Sequence, residues 1–427
     1  MGQGGAFGKA HPPLPLPDAP GKVARMRAQG PPGARMSPAP LNPLLAQTLA
    51  PPVMEARRWL SEIAQPPGLA LMNLSQAAPV EPPPAAMRAA MARAIEQDPD
   101  IHLYSPVLGN APLRAALAQR TGALYGGQVR PDQVAITSGC NQAFCATISS
   151  LCAPGDGVIL PVPWYFNHFM WLTQQGLEAQ VLPTGADLLP DLADCAALIG
   201  PRTRAIVLVT PNNPGGVEYP PALIADFAAL AARHGLALIV DETYRDFHTL
   251  EGPPHGLFAD PAWDEVLIHL YSFSKAYRLT GHRVGAVLSS PARLAQIEKV
   301  LDTVTICVSG PGQMAAHWGL EHLGDWLAAE RLEILRRRAA VMAGFARLPG
   351  WQLRGCGAYF AYARHPFDLS GPEAAKMLLA RAGLLMLPGT MFRPAGQAEG
   401  ASELRIAFAN ADVAQIDEMI ERLARLD

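Results

Sequence analysis

Short apolar runs alternate with amphipathic stretches between residues 133 and 272. "QVAIT" leads into "NQAFCATISSLC", then come "GVILP", "RAIVLVT" followed by "PALIADFAALAARHG", "LALIVDE" and "VLIHLYS". Strands covered on both faces need near-continuous Val, Ile and Leu, and helical periodicity between the runs supplies the covering layers. The pattern therefore predicts an α/β fold built on a mainly parallel sheet with helices on both faces. Ahead of it, "AAMRAAMARAIEQ" (85–97) and "APLRAALAQRTG" (111–122) are helical in period. Behind it, "DWLAAERLEILRRRAAVMAGFARL" (325–348) reads as one long helix, followed by a smaller α+β unit with "GAYFAYARH", "AAKMLLARAG", "LLMLPG", "SELRIAFAN" and the amphipathic helix "VAQIDEMIERLARL". No repeat of the solenoid kind is present. Residues 1–40 are rich in Gly and Pro without apolar periodicity, which predicts disorder, and Met26 and Met36 stand within them as alternative starts.

Composition narrows the partners. A formal net charge of -3 with 17% charged residues leaves no basic footprint for nucleic acid, so a small molecule is the expected ligand. The six cysteines form no C-x-x-C pair and no zinc-type cluster, and no apolar run is long enough to span a bilayer; a cytoplasmic protein is expected. Among 34 basic residues only five are lysines: Lys9, Lys22, Lys275, Lys299 and Lys376. Where arginine is the default cation, a lysine inside "YSFSKAYRLTGHR" (271–283) points to chemistry that arginine cannot do, loss of a proton and attack on a carbonyl.

Ligands of open α/β sheets bind beyond the carboxyl ends of the strands. Four strand ends in succession carry polar groups there. Ser138-Gly139-Cys140-Asn141 opens a helix and offers an anion cradle or an ordinary cap; Asn213 lies in the turn "PNNPGG"; Asp241 follows five apolar residues with Tyr244 close behind; Lys275 follows "VLIHLYSFS". A carboxylate straight after "LALIV" is costly unless it meets donors or a cation. Pyridoxal 5'-phosphate would use all four, having a phosphate, a phenolic oxygen, a ring nitrogen that works best protonated and an aldehyde that condenses with a lysine.

In combination, S-x-S-K at 272–275 with G-x-R at 281–283, N-P-G at 213–215 and D-x-x-Y at 241–244 resemble the fold type I, class I/II aminotransferases, in order and spacing, over almost the whole chain from about residue 41. The resemblance implies a PLP-dependent transferase fold of type I. Its large cofactor-binding domain spans 83–322, and the smaller α+β domain is made of 41–82 and 323–427. It implies that Lys275 is the Schiff-base lysine, that Asp241 pairs with the ring nitrogen, and that Asn213 and Tyr244 bond the phenolic oxygen. Ser272, Arg283, Gly139, Cys140 and Asn141 hold the phosphate in this reading, and Tyr165, rather than Trp164, stacks on the ring. Tyr104 reaches the phosphate of a neighbouring subunit, which implies a homodimer with shared sites, and Arg405 grips the substrate's α-carboxylate. Asn213 and Ala77 complete the substrate contacts. His168 and His282 read as hydrogen-bonded structural histidines.

The chain departs from the family pattern in three ways: Ala77 stands where glycine is usual, Cys140 and Asn141 occupy the phosphate turn, and no second arginine matches the one that reads a dicarboxylate side chain. The implied activity is transfer of an amino group from an amino acid, with aromatic or neutral side chains favoured, to a 2-oxo acid such as 2-oxoglutarate. A carbon–sulfur or β/γ-elimination lyase of the same fold is the alternative. A non-catalytic PLP-binding DNA regulator is a third reading, disfavoured by the missing basic patch.

Overall fold

The computed structural model describes residues 39–426, so the disorder expected for 1–40 lies outside the described residues apart from the last two. Among the described residues, thirteen strands form three sheets. In chain order they are β1 (Met72–Asn73), β2 (Val134–Thr137), β3 (Gly157–Pro161), β4 (Glu178–Leu182), β5 (Thr203–Val209), β6 (Ala237–Asp241), β7 (Leu267–Ser272), β8 (Gly285–Leu288), β9 (Gln352–Gly357), β10 (Phe360–Arg364), β11 (Leu384–Leu385), β12 (Leu387–Pro388) and β13 (Glu403–Ile406).

The principal sheet has the order β2-β8-β7-β6-β5-β3-β4. Pairs β3–β4, β3–β5, β5–β6 and β6–β7 are parallel, whereas β8 runs antiparallel to both of its neighbours. The expectation of a mainly parallel sheet holds, with one inverted strand. That strand alters one detail: the ends of β5, β6 and β7 are true neighbours, but β8 separates them from β2 and its cradle. Alternation along the strands distributes their side chains to two cores. On β6, Leu238 and Val240 join the core with Phe227 and Tyr271, while Ala237 and Ile239 join the other with Phe144 and Leu294. Apolar residues on both faces are the reason these strands read as continuous hydrophobic runs.

The second sheet, β12-β13-β10-β9, is antiparallel. Its core draws Ala56 and Trp59 from the helix Pro52–Glu62, Val341 and Phe345 from the long helix Gly324–Phe345, and Ile416 and Met419 from the C-terminal helix Val413–Ala424. "LLMLPG" divides into two strands of different sheets: β11 pairs in parallel with β1, and β12 pairs with β13. Segments near residue 72 are thereby tied to the C-terminal part of the chain. Everything from Pro43 onward forms one compact unit.

Candidate active site

A cavity of about 430 Å³ opens at the carboxyl ends of β5, β6 and β7 and is closed on its other side by residues 76–78 and Arg405. Lys275 enters it from the short helix Phe273–Ala276, whose N-cap is Ser272; the Ser272 Oγ accepts the Ser274 N–H at 3.2 Å. Lys275 Nζ donates to the Ala77 carbonyl at 2.6 Å. Burial, reinforced by the positive charges of Arg283 and Arg405, lowers its pKa to about 8. About half of the amine is then neutral at pH 8, where an ordinary lysine would be almost fully protonated.

Asp241 ends β6 and is 4% exposed. Its Oδ1 accepts the Thr243 N–H at 3.0 Å, the Thr243 hydroxyl at 2.7 Å and the Cys140 thiol at 3.6 Å, and its Oδ2 lies 3.3 Å from His168 Nε2. Burial works against ionisation, but the hydrogen bond and charge of His168 together with Thr243 outweigh it and leave the carboxyl pKa lowered. His168 is itself held flat against Phe144, with ring centroids 3.8 Å apart. The cost of a carboxylate behind five apolar residues is thus met by four donors.

The turn after β5 places Asn213. Asn212 Oδ1 accepts the Gly215 N–H at 2.8 Å, and Gly216 takes a φ of +69° that suits glycine. Asn213 Oδ1 accepts from Arg405 Nη1 at 3.1 Å, and Arg405 Nη2 donates to the Ser75 carbonyl. Arg405, on β13, lies between the Phe360 and Phe392 rings at 5.1 and 4.9 Å, and its burial lowers the guanidinium pKa to about 10. Tyr244 is buried against Tyr359 and Phe360, and that burial holds its phenol well above the ordinary range.

The anion cradle begins at Gly139, with φ +84°, the N-cap of the helix Cys140–Leu151. A Cβ there would stand 2.3 Å from the Arg283 guanidinium, so glycine lets that arginine lie against the helix N-terminus. Unpaired N–H groups of a first helical turn and a guanidinium converge in this corner, a donor set suited to phosphate. Tyr165 lines the cavity, its hydroxyl donating to Asn141 Oδ1 at 3.1 Å and accepting from Asn167 Nδ2 at 2.9 Å; burial pushes its pKa up to about 12. Trp164 instead packs on Phe169, with centroids 4.3 Å apart, outside the cavity lining.

Cys140, Asn141, Tyr165, Asn213, Asp241, Tyr244, Ser272, Lys275, Arg283, Arg405 and Ala77 all line this one cavity, with Gly139 directly behind it. Tyr104 does not; it is 81% exposed. Val53, Gln76, Phe166, Asn167, Thr243, Ser274 and Thr280 line the cavity too and were not singled out from sequence. Thr243 and Ser274 sit inside motifs already quoted, so adjacency was the available signal; Val53 and Gln76 are brought in by the fold alone.

Residues 70–423 match the family model for aminotransferase class I and II, and the chain belongs to that family. An aromatic aminotransferase of Arabidopsis thaliana is 27% identical over 387 residues, covering 88% of this chain and 93% of the relative. An arginine–pyruvate transaminase of Pseudomonas aeruginosa is 32% identical over 317 residues, covering 71% of this chain and 80% of the relative. Among solved structures, Thermus thermophilus aspartate aminotransferase with maleate superposes with a TM-score of 0.81 at 24% identity, covering 91% of this chain and 99% of that one. An Escherichia coli structure described as having methionine aminotransferase function gives 0.80 at 25%, covering 88% and 98%. The protein is an amino acid aminotransferase, and the lyase alternative has no counterpart among these relatives. Family membership implies pyridoxal phosphate as cofactor.

Proposed function

We propose that the cavity around Lys275 binds pyridoxal phosphate and exchanges the amino group of an α-amino acid for the oxo group of a 2-oxo acid. The residues fit the cofactor: the Gly139 cradle brings Arg283 to a helix N-terminus, and a half-neutral amine shares a cavity with a buried carboxylate, an amide and a phenol. When bound, the cofactor supplies an aldehyde that holds the amino group and a protonated ring that withdraws electrons.

Gly139, Cys140, Asn141, Ser272 and Arg283 hold the phosphate, and Tyr165 covers the ring face. Asp241, kept ionised by its donors, faces the ring nitrogen. The Asn213 oxygen is taken by Arg405, so its Nδ2 is the end left to donate to the phenolic oxygen beside the Tyr244 hydroxyl. The Arg405 fork receives the substrate carboxylate, with Ala77 and Asn213 beside it. Lys275 Nζ anchors the cofactor, then carries the α proton, a task for which a pKa near 8 is suited. Val53 and Phe166 in the wall favour aromatic or neutral donors.

Three further assignments belong to this reading. The chain divides into a large domain, 83–322, and a small one of 41–82 with 323–427, supported by the core of the second sheet, whose buried residues, Phe166 apart, come from 41–82 and 323–427. It works as a homodimer, supported by the exposed Tyr104, with Tyr104 completing the phosphate site of the second subunit. It is cytoplasmic, supported by six unpaired cysteines; no described helix is long and apolar enough to cross a membrane.

The observation that carries the proposal is the lowered pKa of Lys275 inside the cavity that also holds Asp241, Asn213, Tyr244 and Arg405. Borohydride reduction of the holoprotein followed by peptide mapping should leave the pyridoxyl label on Lys275, and Lys275→Ala should lower kcat by at least about 10³-fold. A label on any other side chain, or a K275A variant with near-normal turnover, would refute it.

A further inference from the structure

We infer that Glu403 is a positioning residue for the substrate carboxylate: with Arg354, Arg393 and Tyr362 it fixes the aromatic clamp around Arg405 and leaves the Arg405 fork unpaired. This rests on the reading of Arg405 as the carboxylate site. β10 and β13 pair so that Tyr362 stands opposite Arg405. Their side chains alternate between two faces. Ala361, Ala363, Leu404 and Ile406 enter the core of the second sheet, while Phe360, Tyr362, Glu403 and Arg405 take the other face. Glu403 is fully buried there, two residues before Arg405. Its Oε1 accepts from Arg354 Nη1 at 2.9 Å, and its Oε2 from the Tyr362 hydroxyl at 2.8 Å and from Arg393 Nε at 3.3 Å. Both oxygens are occupied. Arg405 therefore makes no ion pair among the described residues, although a carboxylate lies on its own strand face.

Arg393 connects this cluster to the site. It follows Phe392, whose ring lies 4.9 Å from the Arg405 guanidinium and 5.5 Å from the ring of Phe166 in the cavity wall. The turn Gly389–Phe392 can approach this closely because residue 389 has no side chain: a Cβ there would stand 2.7 Å from Glu403 Cβ and 2.7 Å from the Tyr362 hydroxyl. Phe392 is thus held from two sides, by the Arg393–Glu403 pair and by its own carbonyl, which accepts the Trp164 N–H at 2.9 Å. Arg354 extends the hold to the segment after β4, donating to the Ala186 carbonyl at 3.2 Å. One negative charge faces two guanidinium groups, so the cluster keeps a positive excess that adds to Arg405 instead of quenching it. A buried carboxylate that lost one of these partners would be drawn to the next guanidinium on its face, that of Arg405.

The test isolates the carboxylate. Holoenzyme is titrated with 2-aminoisobutyrate and with tert-butylamine, the same amine with a methyl group in place of the carboxylate. Neither has an α proton, so affinity is read from the cofactor absorbance without turnover. Glu403→Gln and Arg393→Gln should each lower the wild-type preference for the acid about tenfold, and Arg393→Lys should recover part of it. The double variant Glu403→Gln/Arg393→Gln should lose little more than the worse single, because both act through one linkage. Phe392→Leu leaves every ion pair in place, should show a similar loss, and decides the matter if the charge variants do not fold. An unchanged preference in folded Glu403→Gln or Arg393→Gln, or in Phe392→Leu, overturns the inference and leaves Glu403 a purely structural ion pair. A wild type with no preference for the acid, or an Arg405→Gln variant that keeps it, overturns the reading of Arg405 instead.

Discussion

Lys275 shows what a single side chain gains from its surroundings. Its pKa of about 8 lies below the 10.5 of a free lysine, so between these values the folded apoprotein binds fewer protons than the unfolded chain. The sign follows: the cost of burying the ammonium is fully present below about pH 8 and disappears as pH rises towards 10.5. Reductive methylation of the apoprotein, read peptide by peptide, should accordingly show Lys275 labelled with a midpoint near pH 8. Asp241 has the opposite sense. His168→Phe removes a donor from Oδ2, should raise the Asp241 pKa, and should reduce kcat about tenfold to a hundredfold with less effect on KM. Lys275 was legible in the sequence as a scarce lysine, Asp241 as a carboxylate straight after five apolar residues, and Asn213 as an amide in the turn that follows an apolar run. The service of His168 to Asp241 was not, since only the fold brings the helix Phe166–Gln174 up to the end of β6.

Elements were readable in proportion to their burial. The runs that became β3, β6 and β7 are buried throughout and β5 is buried except at Arg204, and near-continuous apolar composition marks them. β4 escaped notice because it is an edge strand with an exposed Glu178 and half-buried neighbours, and β8 because four residues, "GAVL", are too few to show a period. Backbone conformation carries the site as much as side chains do. Gly139→Ala would place a methyl group against Arg283 at a φ of +84°, a strain of about 1–3 kcal/mol that the flexible guanidinium can relieve by moving away. The expected result is a modest fall in Tm with a much larger loss of cofactor affinity, measured by reconstitution of the apoprotein. At Gly216 the obstacle is rigid: a Cβ would lie 2.4 Å from the Phe360 carbonyl and 2.6 Å from the Gly357 N–H nitrogen. Gly216→Ala should therefore destabilise the fold itself, by about 2 kcal/mol or more in denaturant unfolding, and weaken substrate binding by parting Asn213 from Arg405.

At the scale of the whole molecule the central question is whether one chain makes a complete site. The proposed dimer puts Tyr104 of one subunit at the phosphate of the other, which a mixing experiment can read directly. Lys275→Ala and Tyr104→Ala subunits, each impaired alone, should on co-refolding in equal amounts recover about a quarter of the wild-type sites, since half the dimers are mixed and each mixed dimer has one intact site. No recovery, with mixed dimers demonstrated by mass, would show that Tyr104 acts within its own chain.

Arg405 and Asn213 are 192 positions apart, yet a single 3.1 Å hydrogen bond joins the guanidinium to the amide oxygen. In the proposed site the grip on the incoming acid and the tuning of the cofactor's oxygen would therefore be one linkage: a carboxylate that pulls the guanidinium would also tug the amide. On that reading a correctly shaped guest would be felt as an electronic change at the reacting centre.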